Sequence, residues 1–118
     1  MTLKLEMVTI DCADPQRLAE FWTHVLDMHV AADYGEFIML APNTEGTPHL
    51  GLQRVPEPKS VKNRTHLDLL STDRAGDVRW LVQLGATEVA EESIPDFLDW
   101  TVLTDPEGNE FCVGQLQE

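Results

Sequence analysis

A chain of 118 residues is long enough for one domain with a real hydrophobic core, and its 42% apolar content argues against disorder. The formal net charge of −13 speaks against nucleic acid and anionic lipid as partners. No apolar run approaches the roughly 20 residues of a membrane span, and Met1-Thr-Leu-Lys-Leu-Glu lacks the apolar centre of a signal peptide. The chain therefore reads as a soluble cytoplasmic protein whose two cysteines, Cys12 and Cys112, stay reduced.

Leu3 to Cys12 predicts a strand, in which Val8, Ile10 and Cys12 alternate with Met7, Thr9 and Asp11. Asp14-Pro15 then opens a helix, because Asp is a good N-cap and Pro suits the first helical position. Leu18, Phe21, Trp22, Val25 and Leu26 give that helix one apolar face. Short strands are expected at Met28–Ala32, Glu36–Leu40 and His49–Val55. The prolines of Pro56-Glu-Pro-Lys-Ser60 make that stretch a connector, since proline cannot donate to a ladder. Beyond it come a strand at Arg64–Leu70, a helix at Arg74–Leu84 capped by Asp73 and Gly85, and strands at Ala86–Glu91, Leu98–Thr104 and Gly108–Gly114. Half of the eight Lys and Arg residues, namely Arg54, Lys59, Lys62 and Arg64, crowd around the connector. There they either attract an anion or pair with neighbouring carboxylates.

A shift of 59 residues, half the chain, lays one half on the other. Met7–Asp14 falls on His66–Asp73, capping Asp on capping Asp, and Phe21 falls on Trp80. After a one-residue slip Leu26-Asp-Met28 meets Leu84-Gly-Ala86, and Gln53 falls on Cys112. The pairs Asp14-Pro15 and Phe21-Trp22, the segment Lys62-Asn-Arg-Thr-His-Leu-Asp68, Leu84-Gly-Ala86 and Asp105-Pro-Glu-Gly-Asn109 follow in order at the repeat spacing. In this combination the chain resembles the glyoxalase-like proteins of the vicinal oxygen chelate superfamily. The resemblance implies an α+β fold of two tandem βαβββ modules, about 3–55 and 62–114, joined at 56–61 within a single domain. It implies that the eight strands curl into an open, cup-shaped barrel with a ligand cavity inside, and that the protein is a homodimer.

In metal-using members of that superfamily four ligands line the cup, and carried over by spacing they are Met7, Gln53, His66 and Cys112. Alternation agrees on direction: Val8, Ile10, Leu67 and Leu69 should pack under the helices, so Met7, Thr9, His66 and Asp68 face the other way. The four ligand places hold one imidazole and no carboxylate, so neither a metal nor another cofactor is expected. If a divalent metal did bind, His66, Cys112 and Gln53 would be its ligands, with Asp68 as an acceptor behind them or a replacement. The expected function is binding of a small organic molecule, anionic in character, with lyase- or isomerase-type chemistry that needs no metal. His66 would be the acid/base and Asp68 its positioning partner, about 7 Å away along the strand. Met7, Thr9, Gln53, Cys112, Trp100 and Arg64 would contact the ligand, and Phe37, Met39 and Tyr34 would wall the cavity. The alternatives are a sequestering protein of the bleomycin-resistance type and a metal-dependent lyase or dioxygenase.

Overall fold

The computed structural model describes residues 2–118. The chain divides into two compact units, the first ending at Pro58 and the second starting at Lys59, inside the predicted connector. The first unit runs β1 (Met7–Cys12), α1 (Pro15–Val25), β2 (Met28–Asp33), β3 (Phe37–Pro42) and β4 (His49–Arg54). The second runs β5 (Leu67–Leu70), α2 (Arg74–Leu84), β6 (Thr87–Ile94), β7 (Leu98–Thr104) and β8 (Glu110–Leu116). Each is therefore a βαβββ module, and the architecture is α+β, as the sequence implied. The strands form two four-stranded sheets of identical topology, β1-β4-β3-β2 and β5-β8-β7-β6. In each, the first strand is parallel to the last and the other pairings are antiparallel.

The helices begin where the capping chemistry puts them. Asp14 accepts the Arg17 N–H at 3.2 Å and Asp73 accepts the Gly76 N–H at 3.2 Å. α2 ends on Gly85 at φ +119°, a conformation that disfavours any side chain. Asp27 holds the matching place after α1 with φ +51°. Both second strands carry an irregularity at matching positions, between Val30 and Ala32 and between Glu88 and Ala90.

The inner faces of the two units follow the alternation read from the sequence. In the first, Leu18, Phe21 and Trp22 of α1 are buried with Ile38, Leu40, Leu50 and Leu52 of the strands. In the second, Val78 and Leu81 of α2 are buried with Leu103, Phe111 and Val113. The repeat is looser on the helices: Phe21 is buried, whereas its counterpart Trp80 is exposed.

Two strands begin later than expected, β1 at Met7 rather than Leu3 and β5 at Leu67 rather than Arg64. Residues 61–66 lie outside the ladder because side chains tie them down instead. Asn63 donates its N–H to the Glu110 carboxylate, accepts the Glu110 N–H at 2.9 Å, and reaches Asn109 with its amide at 3.2 Å. The turn below is self-supporting: Asp105 accepts the N–H groups of Glu107 and Asn109 at 2.9 and 3.0 Å. The Asp-Pro-Glu-Gly-Asn turn thus does two jobs, reversing the chain into β8 and pinning the segment that leads to His66.

Candidate functional site

Register fixes what faces what. In the second sheet Asp68 lies beside Cys112, which lies beside Val102. One step along, Leu70, Gly114 and Trp100 are in line, and a further step brings Leu116 and Leu98, with Ile94 opposite Leu98. These residues share the face away from α2, and each step is about 7 Å, two residues of strand. A cavity of about 460 Å³ opens over this face, and its lining is drawn from the second unit alone. Lys62, His66, Asp68, Glu110 and Cys112 make one end polar, while Leu70, Ile94, Leu98, Trp100 and Val102 make the rest apolar.

At the polar end three groups converge. His66 Nδ1 stands 3.2 Å from Asp68 Oδ1 and 4.0 Å from Cys112 Sγ. The expected separation of about 7 Å between His66 and Asp68 is thus closed by direct contact, because His66 sits just before β5 and its ring folds back along the face. The pair is well exposed, so it adds little stability. Its effect is orientation: a proton on Nδ1 shared with Asp68 leaves Nε2 as the basic nitrogen. Burial, together with the Asp68 charge and the hydrogen bond Asp68 accepts from the thiol, pushes Cys112 up from its ordinary pKa, with Lys62 opposing weakly. Cys112 is therefore held as a thiol, unsuited to act as a nucleophile. Burial pushes Glu110 up, but the Lys59 ammonium at 3.2 Å and the N–H groups of Asn63 and of Glu110 itself outweigh it and hold the carboxyl below its usual range.

In the first sheet the register departs from the spacing read along the chain. Thr9, the counterpart of Asp68, is in register with Gly51, so Gly51 and not Gln53 occupies the place of Cys112. Gln53 corresponds to Gly114 and Phe37 to Trp100. The offset of 59 holds for the first strands but grows to 61 at the last, because the intervening segments differ in length. Gln53 spends its amide on the carbonyls of Glu36 and Arg54, both at 3.1 Å, and pairs in register with Asp11, while Met7 pairs with His49 at the far end. Gly51 has no room for a side chain: a Cβ there would lie 2.7 Å from Thr9 Oγ1 and 2.9 Å from the Phe37 ring.

Of the residues named from the sequence, His66, Asp68, Cys112 and Trp100 come together around the cavity. Met7, Thr9, Phe37 and Gln53 share one face of the first sheet instead. Arg64 is exposed and outside the lining, and Lys62 is the connector cation that reaches it. Arg54 faces Glu36 at 3.8 Å and Tyr34 is exposed in its turn. The other histidines are engaged elsewhere: His24 with the Glu20 carbonyl, His29 with Asn43, His49 with Glu6. Glu110, Leu70 and Val102 were not singled out from the sequence, although alternation from Cys112, Asp68 and Trp100 reaches all three.

The glyoxalase-like domain family matches residues 7–114 of the chain. The chain belongs to this family. No curated protein sequence matches it. Among solved structures, this glyoxalase-like chain is similar to a glyoxalase/bleomycin resistance protein/dioxygenase family enzyme from Burkholderia phytofirmans PsJN. The two are 19% identical with a TM-score of 0.80, over 98% of this chain and 100% of the other. A glyoxalase-related enzyme from Fulvimarina pelagi is 15% identical, with a TM-score of 0.75 over 95% and 87% of the two chains. A fosfomycin resistance protein from Listeria monocytogenes, in complex with manganese(II) and a dihydroxypropylphosphonic acid, is 8% identical with a TM-score of 0.77 over 96% and 89%. At these identities the likeness is one of fold.

Metals occur on this fold, so the donor set bears testing. His66, Asp68 and Cys112 offer nitrogen, oxygen and sulfur atoms within 4.8 Å of one another. The corresponding places in the first sheet hold Met7, Thr9 and Gly51, a thioether, a hydroxyl and no side chain. A hard ion such as Mg²⁺ or Mn²⁺ calls for several oxygen donors, and one carboxylate beside an imidazole and a sulfur does not supply them. The residues present do not fit such an ion.

Proposed function

We propose that this glyoxalase-like protein binds a small organic molecule in the cavity of its second module, and that His66 moves a proton at it without a metal. The observation that carries this reading is the placing of the His66–Asp68 pair at the polar end of an otherwise apolar cavity. The volume, about 460 Å³, lies in the range of roughly 300–1,000 Å³ usual for small-molecule sites. Asp68 fixes the ring and the tautomer, so Nε2 faces the ligand as a base and, once protonated, as an acid. The apolar wall supplies affinity by burying the body of the molecule.

A second reading is that the molecule is held and returned intact. It is favoured by the apolar majority of the lining. The two are separated by incubating the protein with binders found in a ligand screen and recovering the small molecule chromatographically. Conversion that disappears in His66→Ala while binding persists supports proton transfer. Intact recovery with the wild type supports sequestration. If neither His66→Ala nor Asp68→Asn alters conversion or affinity, the polar end plays no part and the proposal fails.

A further inference from the structure

We infer that the molecule bound in this cavity is a hydrophobic monocarboxylic acid, its carboxylate at Lys62 and its body along the face from Leu70 and Trp100 to Leu98. The inference rests on the reading of the cavity as a small-molecule site and adds the ligand's class.

The first support is the gradient of polarity along the strands. Glu110 stands at one level, and Asp68, Cys112 and Val102 share the next, which the His66 ring also reaches. The two levels beyond are apolar, formed by Leu70 with Trp100 and by Leu98 with Ile94. Polar and apolar halves therefore meet between the second and third levels, and each half is about 7 Å long. A ligand matching this pattern has one polar head and one continuous apolar body. The second support is the accessibility of that apolar half. Leu70 keeps 71% of its surface exposed and Ile94 47%, while Leu103 and Phe111 on the opposite face of the same sheet are fully buried. Covering these side chains with an apolar body removes hydrophobic surface from water.

The third support is charge. Lys59 is taken by Glu110 and His66 by Asp68, each at 3.2 Å. Of the cations outside the cavity, Lys4 bonds Glu6, Arg54 faces Glu36 and Arg74 bonds Glu91, while Arg17, Arg64 and Arg79 form no ion pair among the described residues and lie off the lining. Lys62 lines the cavity and, among the described residues, has no carboxylate partner. One ammonium without a partner, in a protein of formal net charge −13, calls for one negative charge. The carboxylates of Asp68 and Glu110 flank the same end, so a phosphate dianion would meet more repulsion than the single ammonium offsets.

The test uses four probes with one tail and different heads: octanoate, octanol, octylamine and octyl phosphate. Binding to the intact protein is followed by two-dimensional amide and indole N–H NMR, which locates the ligand as well as measuring affinity. Octanoate should bind tightest and shift the Trp100 indole signal, and Lys62→Gln should weaken octanoate about tenfold, the effect of one charge-assisted contact, while leaving octanol unchanged. Trp100→Ala should weaken octanoate and octanol alike. Equal binding of octanoate and octanol, or insensitivity of octanoate to Lys62→Gln, overturns the assignment of a carboxylate while the small-molecule reading stands. If no probe shifts any cavity residue, that reading falls as well.

Discussion

Replacing Glu110 with Gln tests whether the carboxylate that ends the cavity also pins the connector. The Lys59 ammonium lies 3.2 Å away, with the two side chains 28% and 13% exposed, so the pair is neither a surface ion pair nor a buried one. A pair of this kind contributes about 0.5–1 kcal/mol. The Asn63 N–H, shared between both carboxylate oxygens at 3.2 and 3.3 Å, adds a charge-assisted bond of which the amide oxygen of Gln retains part. The variant should therefore lose about 1–2 kcal/mol at pH 7. The carboxyl is held below its usual value of 4.5, so Glu110 ionises more readily folded than unfolded. Its contribution is complete above the unfolded value and disappears as pH falls through the lower, folded one. Urea unfolding of wild type and variant at several pH values should show the full difference at neutral pH and a difference that shrinks as pH falls below the unfolded value of 4.5. Lys59→Met should reproduce only the smaller, ion-pair share. A variant as stable as wild type at pH 7, or a difference that survives unchanged at pH 3, would refute the reasoning.

Protein purified without added metal should contain less than about one tenth of an equivalent of any transition metal, measured by elemental analysis. Stoichiometric zinc that resists dialysis would overturn this, and Cys112→Ser should then release it. Gly51→Ala should destabilise by about 1–3 kcal/mol in chemical denaturation, since its Cβ must displace Thr9 or Phe37; an unchanged midpoint would mean that these side chains do not close over Gly51. Cys112 should react slowly with thiol reagents at pH 7 and faster in Asp68→Asn, which removes the charge and acceptor that favour the neutral thiol. Equal rates in the two proteins would show that burial alone sets its reactivity.

The sequence by itself determined the modules. Capping residues, a period-two pattern and a half-length repeat are local signals, and each acts within a few residues, so Asp14, Asp73 and Gly85 mark helix ends in the structure where they mark them in the chain. The repeat, with the Asp-Pro-Glu-Gly-Asn turn, was enough to indicate the family. Facing direction was also legible, because a strand in which Leu67 and Leu69 are half-buried alternates with a more exposed Asp68. Register was not. It depends on the lengths of hairpins, which accumulate, and the two-residue growth of the offset replaced Gln53 with Gly51 opposite Thr9. Nor could the chain reveal that His66 folds back onto Asp68, or that Lys62 and not Arg64 reaches the cavity. Those positions are set by Asn63, clamped to Glu110 across 47 residues of sequence. Bonds between segments so far apart exist only once the sheet has formed, which is why the polar end of the site was decided by tertiary structure alone.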